Sequence, residues 1–120
     1  MEDPIVDKRP WGRFIQFCQN ENATVKIIQV EPGQQLSVQK HKHRDEMWVA
    51  LEQGLVALIG DDTIFMKDIH IAEEPVWIPR GTVHSIENAN AGLTARFLEI
   101  SFGEFDEGDI ERIRDDYGRT

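Results

Sequence analysis

Two short segments of the chain carry side chains whose types and spacing could bind a metal ion. Gln39 and His41 lie two positions apart, Glu46 follows five residues later, and His84 ends a Pro-Arg-Gly-Thr-Val-His run. Positions two apart on a β-strand share a face, so Gln39 and His41 are predicted to point the same way. Two imidazoles, a carboxylate and an amide oxygen suit one divalent ion, Zn²⁺, Mn²⁺, Fe²⁺, Co²⁺ or Ni²⁺, and these residue types leave the choice among the metals open.

Each of these side chains also has an ordinary explanation, because a single histidine on a half-buried strand is more often a hydrogen-bonded or surface residue than a ligand. For the four residues together, metal binding is the better explanation. A strand face lined with Gln, His and Glu inside an apolar barrel leaves buried polar groups unpaired unless something such as a metal ion satisfies them. We therefore expect one metal ion, bound by Gln39, His41, Glu46 and His84.

The segments that must position these residues are predicted to be short β-strands separated by turns. The predicted strands cover residues 23–31, 36–43, 47–51, 55–59, 63–66, 69–72, 76–79 and 94–102. Strands this short and this evenly spaced predict an all-β sandwich or barrel. Alternation along the third strand predicts that Trp48 faces inward with Glu46, while Met47 faces outward. Trp48, Trp77 and Phe97 are predicted to form the barrel core.

The last residues follow a different pattern. Ile110, Ile113 and Tyr117 are spaced as one stripe of a short helix that begins near Asp109. We expect this C-terminal helix to cap one end of the barrel.

Length and charge limit the classes of function. The 120 residues, 1–120, are predicted to form a single domain. The net charge of −9, from 13 basic and 22 acidic residues, argues against nucleic acid or an anionic membrane as partner. The single cysteine, Cys18, fits a reducing compartment. Neither a signal peptide nor an apolar span is visible, so a cytoplasmic location is expected.

The two metal-binding segments resemble the paired signature motifs of the cupin superfamily, whose fold is a double-stranded β-helix, or jelly-roll barrel. In the usual first motif a His stands at the position of Gln39. From about Lys8 to Arg119 the chain is similar, more closely, to the type II mannose-6-phosphate isomerase domain. That resemblance rests on Arg9-Pro10-Trp11-Gly12, on the run from Leu36 to Trp48, on the run from Ile78 to His84, and on Asp115-Asp116-Tyr117-Gly118-Arg119.

The resemblance implies a metal-dependent aldose–ketose isomerase that interconverts mannose 6-phosphate and fructose 6-phosphate through a cis-enediol. The metal would stabilise developing enediolate charge, and a base would move a proton between two carbons. His43 shares strand parity with His41 and is the candidate base, although an exposed rim histidine explains it equally well. Arg44 matches an arginine of the family motif as a candidate catalytic residue, and Arg44 and Arg80 are candidate phosphate ligands. Ordinary salt bridges are the other explanation for both arginines.

Two other functions stay open. One is a cupin that binds metal and sugar without turnover, which is favoured because the family usually has His at the position of Met47 and Arg at that of Ser85. The other is a small cupin oxygenase. The expected partners are a small sugar phosphate and a second copy of the chain in a homodimer.

Overall fold

A computed structural model describes residues 3–66, 75–115 and 117, and every regular element in those ranges is a β-strand. No helix long and apolar enough to cross a membrane occurs in the described ranges. The strands, in chain order, are β1 (Ile5–Arg9), β2 (Gly12–Gln16), β3 (Ala23–Val30), β4 (Val38–Lys40), β5 (Asp45–Ala50), β6 (Leu55–Ile59), β7 (Asp62–Phe65), β8 (Val76–Ile78), β9 (His84–Asn88), β10 (Ala95–Phe102) and β11 (Glu111–Arg114).

Two antiparallel sheets form the body of the molecule. One has the strand order β3-β10-β5-β8, and the other has the order β11-β4-β9-β6-β7. The main core cluster combines Trp48 and Phe97 of the first sheet with Leu55, Ala57 and Ile86 of the second, so the two sheets pack face to face. The all-β barrel predicted from the sequence is confirmed.

Strand register determines which polar side chains enter the barrel. In the first sheet Glu46 lies opposite Ser101, and Trp48 lies opposite Glu99. Opposed residues of an antiparallel pair share a face, and all four are buried. The inward direction predicted for Glu46 and Trp48 is therefore correct, and the same face carries Glu99 and Ser101 into the interior.

The outer face of the first sheet carries a second apolar cluster. Met47, Val49 and Ile100 are buried there, packed against Phe17 and Trp77 among other side chains. The prediction that Met47 faces away from the ligands is thus correct. The prediction that Trp77 lies in the barrel core is wrong, because on β8 the inward positions are those of its neighbours Val76 and Ile78.

The predicted C-terminal helix is wrong. Residues 111–114 form β11, which pairs antiparallel with β4 and extends the second sheet. The apolar stripe does not bury itself as a helix face would, since Ile113 and Tyr117 are both 53% exposed. Backbone pairing with β4, although irregular between Arg112 and Arg114, gives the segment hydrogen-bond partners on one side, which outweighs a weak helical pattern.

The strands differ from prediction in two further places. The predicted strand 36–43 is regular only over Val38–Lys40. The N-terminal hairpin of β1 and β2 was not predicted at all. The predicted strand 69–72 lies outside the described residues.

Candidate metal centre

Three of the four predicted ligands meet inside the barrel. His41, Glu46 and His84 are each at most 4% exposed, and one ligand atom from each lies within 4.8 Å of the others. Glu46 Oε1 is 3.2 Å from His41 Nε2 and 3.5 Å from His84 Nε2. Two atoms bound to one ion at about 2.1 Å, with an angle near 90–110° between them, lie roughly 3.0–3.5 Å apart. The spacing already matches that of ligands around a shared ion.

The polypeptide brings the two histidines together through a tight turn. His41 follows the last residue of β4, and His84 is the first residue of β9. Gly81, with a φ of 81°, turns the chain before His84, and its N–H donates to the His41 carbonyl at 2.6 Å. Glycine adopts this left-handed conformation without steric cost. The turn therefore ties one ligand segment to the other.

Both imidazole rings present Nε2 to the centre. His41 Nδ1 lies 2.6 Å from the Asp109 carbonyl oxygen, and His84 Nδ1 lies 2.8 Å from that of Thr82. A carbonyl only accepts, so each Nδ1 carries a proton and donates it, which leaves Nε2 of each ring facing Glu46. A backbone acceptor on the far nitrogen is the usual way in which a metal-binding histidine is oriented.

The carboxylate of Glu46 uses its two oxygens differently. Oε2 accepts from the Ser101 hydroxyl at 2.8 Å, whereas Oε1 is buried with no hydrogen-bond partner among the described residues. A buried carboxylate oxygen without such a partner, 3.2 Å and 3.5 Å from two imidazole nitrogens, gives a donor set that fits a cation.

The fourth predicted ligand, Gln39, stands beside this group. It lies directly opposite His84 in the pairing of β4 with β9, so the two side chains share a face of the sheet. Gln39 is half-buried. The amide of Gln39 stays a predicted ligand beside His84.

Arg44 is packed against the centre. Its side chain is 7% exposed, with Nη2 3.2 Å from His41 Nε2 and Nε 3.4 Å from Glu46 Oε2. On the other side, Nη1 donates to the Asp106 carbonyl at 3.1 Å and the guanidinium lies 4.4 Å from the centre of the Phe105 ring. Its hydrogen-bond partners among the described residues are thus His41, Glu46 and Asp106.

The other two predicted site residues lie at the surface. His43 is exposed and lines a groove of about 480 Å³ with Lys40, Lys42 and Asp109, among others. The parity argument for His43 does not apply, because β4 ends at Lys40 and the chain bends over the next residues. The structure does not group His43 with the three ligand atoms.

Arg80 is exposed and forms an ion pair with Asp45 at 3.1 Å. Hydrogen bonding from Arg80 holds the pKa of Asp45 below its ordinary value, despite partial burial. Because Asp45 directly precedes Glu46, this ion pair stands at the edge of the ligand strand rather than inside the centre.

Glu99 was not predicted as part of the site. Its carboxylate accepts from the Trp48 indole N–H at 3.0 Å, and Trp48 contacts the His84 ring edge-on. Burial, reinforced by the negative charge of Glu46, raises the pKa of Glu99 to about 7. Strand alternation that places Phe97 inward also places Glu99 inward, so the sequence held a usable signal.

The segment 105–109 was also missed. Asp109 orients His41 through its carbonyl, and its carboxylate accepts the backbone N–H groups of Lys42 and His43 at 2.9 Å each. These backbone hydrogen bonds hold the pKa of Asp109 below its ordinary value. One residue thus fixes both the ring and the loop beside it, and its separation of 68 positions from His41 left no local signal in the sequence.

Comparisons with known proteins show the family of the chain. The family model for the C-terminal region of mannose-6-phosphate isomerase matches residues 5–115. Mannose-1-phosphate guanylyltransferase 2 of Escherichia coli O157:H7 is 36% identical over 110 residues, covering 91% of this chain and 22% of that protein. Mannose-1-phosphate guanylyltransferase of Klebsiella pneumoniae is 40% identical over 113 residues, covering 92% and 23%. The chain therefore spans less than a quarter of the length of these relatives.

Solved structures of similar shape are cupin-like. A cupin 2 conserved barrel domain protein from Rhodopseudomonas palustris has a TM-score of 0.60 at 20% identity, covering 73% of this chain and 57% of that one. The epimerase RmlC from Legionella pneumophila has a TM-score of 0.69 at 11% identity, covering 92% and 70%. At such identities the likeness shows the fold alone, and it confirms the predicted cupin barrel. Since the family model spans residues 5–115, the chain belongs to the mannose-6-phosphate isomerase C-terminal family.

Proposed function

We propose that the chain is a metal-dependent aldose–ketose isomerase that acts on a sugar phosphate and interconverts mannose 6-phosphate and fructose 6-phosphate. The observation that carries this proposal is the convergence of two imidazole nitrogens on the buried Glu46 Oε1, in a chain of this family. The match covers only 22% of the first relative, so the experiment must test whether this chain is active by itself.

Gln39, His41, Glu46 and His84 would hold the metal ion. A divalent ion at this position supplies Lewis-acid polarisation of a sugar carbonyl and hydroxyl. The protein shields the site from bulk solvent, since all three of the converging side chains are buried. Their orientation is fixed before substrate arrives by the carbonyls of Asp109 and Thr82 and by the Ser101 hydroxyl.

His43 is the proposed base, because an imidazole can accept and return a proton near neutral pH. It lies two residues from a ligand in a loop held by Asp109, at the rim rather than within the centre. Arg44 and Arg80 are the proposed partners of the substrate phosphate, as guanidinium groups bind phosphate in a bidentate way. Arg44 touches the ligands themselves, and Arg80 lies beside the ligand strand.

A second function, binding of metal and sugar without turnover, is favoured by two observations. His43 is exposed, and Arg44 already contacts His41 and the Asp106 carbonyl within the protein. A site lacking a base at hydrogen-bond distance from the substrate binds it without moving a proton.

Turnover of mannose 6-phosphate by the metal-loaded protein, followed by NMR detection of fructose 6-phosphate, separates the two functions. The isomerase predicts product with the wild type, loss of product with His43→Gln, and little change with Lys42→Gln, which alters the neighbouring exposed residue of the same groove. Bound metal with no product from the wild type would exclude isomerisation by this chain and favour the binding function.

We also propose that the chain forms a homodimer through the outer face of its first sheet. β3 is an edge strand, and its outward side chains Val25 and Ile27 are 56% and 61% exposed. Adjacent exposed apolar side chains on an edge strand favour association with another chain. Light scattering should give twice the chain mass for the wild type and the monomer mass for Ile27→Lys; a monomeric wild type would contradict the proposal.

A further inference from the structure

We propose that Arg44 is an internal cation that competes with the metal ion for His41 and thereby sets the metal affinity of the centre. The proposal rests on the metal centre described above but does not require turnover. It assigns to Arg44 a role in the metal-free protein that is separate from any contact with substrate.

The first step concerns the atom for which the two cations compete. His41 Nδ1 donates to the Asp109 carbonyl, so a lone pair on this ring can lie only on Nε2. Arg44 Nη2 lies 3.2 Å from that same atom. One lone pair serves either a guanidinium N–H or a metal ion, so a metal ion can bind His41 only after Arg44 has released it.

The second step concerns charge. The Glu46 carboxylate is buried, and Arg44 Nε lies 3.4 Å from its Oε2. Arg44 therefore supplies the positive charge that the buried carboxylate requires. A divalent ion at Glu46 Oε1 would repel the guanidinium across a short distance inside the protein, where screening by water is weak.

The third step concerns what holds Arg44 in place. The Asp106 carbonyl accepts from Nη1 at 3.1 Å, and the Phe105 ring lies against the guanidinium. These contacts come from the segment that also orients His41 through Asp109. They remain available when the bond to His41 is broken, so the guanidinium has a resting position within reach of the centre.

Arg44 could instead support metal binding by orienting the ligand Glu46. In that role its removal would change the metal affinity in the opposite direction. Removing a residue that orients a metal ligand weakens metal binding, typically tenfold to hundredfold. Removing a competitor strengthens it. The direction of the change in metal affinity therefore decides between the two.

The test is Zn²⁺ affinity, measured by competition with a chromophoric chelator, for the wild type, Arg44→Met and Arg96→Gln. Met fills the buried space without a charge, and Arg96 is a control because its ion pair is with Glu52, in the turn after β5, and not with any of the three clustered ligands. Loss of a charge-assisted hydrogen bond should tighten Zn²⁺ binding roughly tenfold to hundredfold in Arg44→Met. Arg96→Gln should match the wild type.

Unchanged or weaker Zn²⁺ binding by Arg44→Met would overturn the inference while leaving the metal centre standing. A wild type that binds no Zn²⁺ would overturn both. If Arg44→Met does not fold, the wild type itself provides the test by NMR. Exchange of the Arg44 guanidinium protons with water should be slow without metal and faster with Zn²⁺, and equal or slower exchange with Zn²⁺ would contradict competition.

Discussion

Glu99 is predicted to make the stability of the metal-free protein depend on pH in the neutral range. Its carboxyl is 8% exposed, and its pKa rises from the ordinary 4.5 to about 7, chiefly through burial and then through the charge of Glu46. The folded state therefore binds the proton more tightly than the unfolded state. The stabilisation is complete below about pH 4.5 and is lost as the pH rises through about 7.

The magnitude follows from that difference. A change from 4.5 to about 7, at about 1.36 kcal/mol for each pKa unit, corresponds to about 3 kcal/mol. Glu99→Gln keeps an oxygen that accepts from the Trp48 indole but removes the titration. Relative to the wild type, the variant should gain about 2–3 kcal/mol in free energy of unfolding between about pH 5 and pH 8.5.

Urea unfolding of the chelator-treated protein, followed by tryptophan fluorescence, measures this difference. Both proteins should be compared at the same ionic strength at each pH, so that the rest of the charge distribution cancels. A difference that stays constant across the pH range would refute the assignment of a raised pKa to Glu99.

The remaining predictions concern the groups that support the centre and the barrel. Asp109→Ala removes the carboxylate that holds the loop after His41 and should weaken Zn²⁺ affinity by about tenfold in a chelator competition, whereas unchanged affinity would show that the loop needs no such support. Gly54→Ala should lower the free energy of unfolding by about 1–3 kcal/mol in urea, because φ is 98° and the added Cβ would collide with Asn90; equal midpoints would contradict this. Phe97→Ala should cost about 3–5 kcal/mol by the same measurement, since the ring is fully buried against Trp48, and a loss below about 1 kcal/mol would mean that the core is loosely packed.

Alternation and turn residues were enough to predict the barrel and its inner face. The inward direction of Glu46 and the outward direction of Met47 follow from strand parity, because a six-residue strand between two partners has a fixed register. Parity failed at His43, where β4 stops at Lys40 and a bend replaces the strand. A local pattern cannot show that a distant carboxylate, here that of Asp109, will accept the backbone N–H of His43 in place of a neighbouring strand.

The same limit explains the C-terminal error and the missed supporting residues. Ile110 and Ile113 have helical spacing, but pairing with β4 decides the outcome, and that partner lies about 70 positions away in the chain. Contacts of long sequence separation, such as that of Phe105 with Arg44, leave no periodic signal. Candidate ligands were easier to single out, since metal ligands must be of particular residue types.

Metal content of the Zn²⁺-loaded, dialysed protein tests the central claim most directly when His41→Ala is measured beside the wild type. The two imidazoles and Glu46 should hold about one ion per chain in the wild type, and close to none once His41 has lost its ring. A folded His41→Ala protein that retains the full metal content, or a wild type that retains none, would contradict the account.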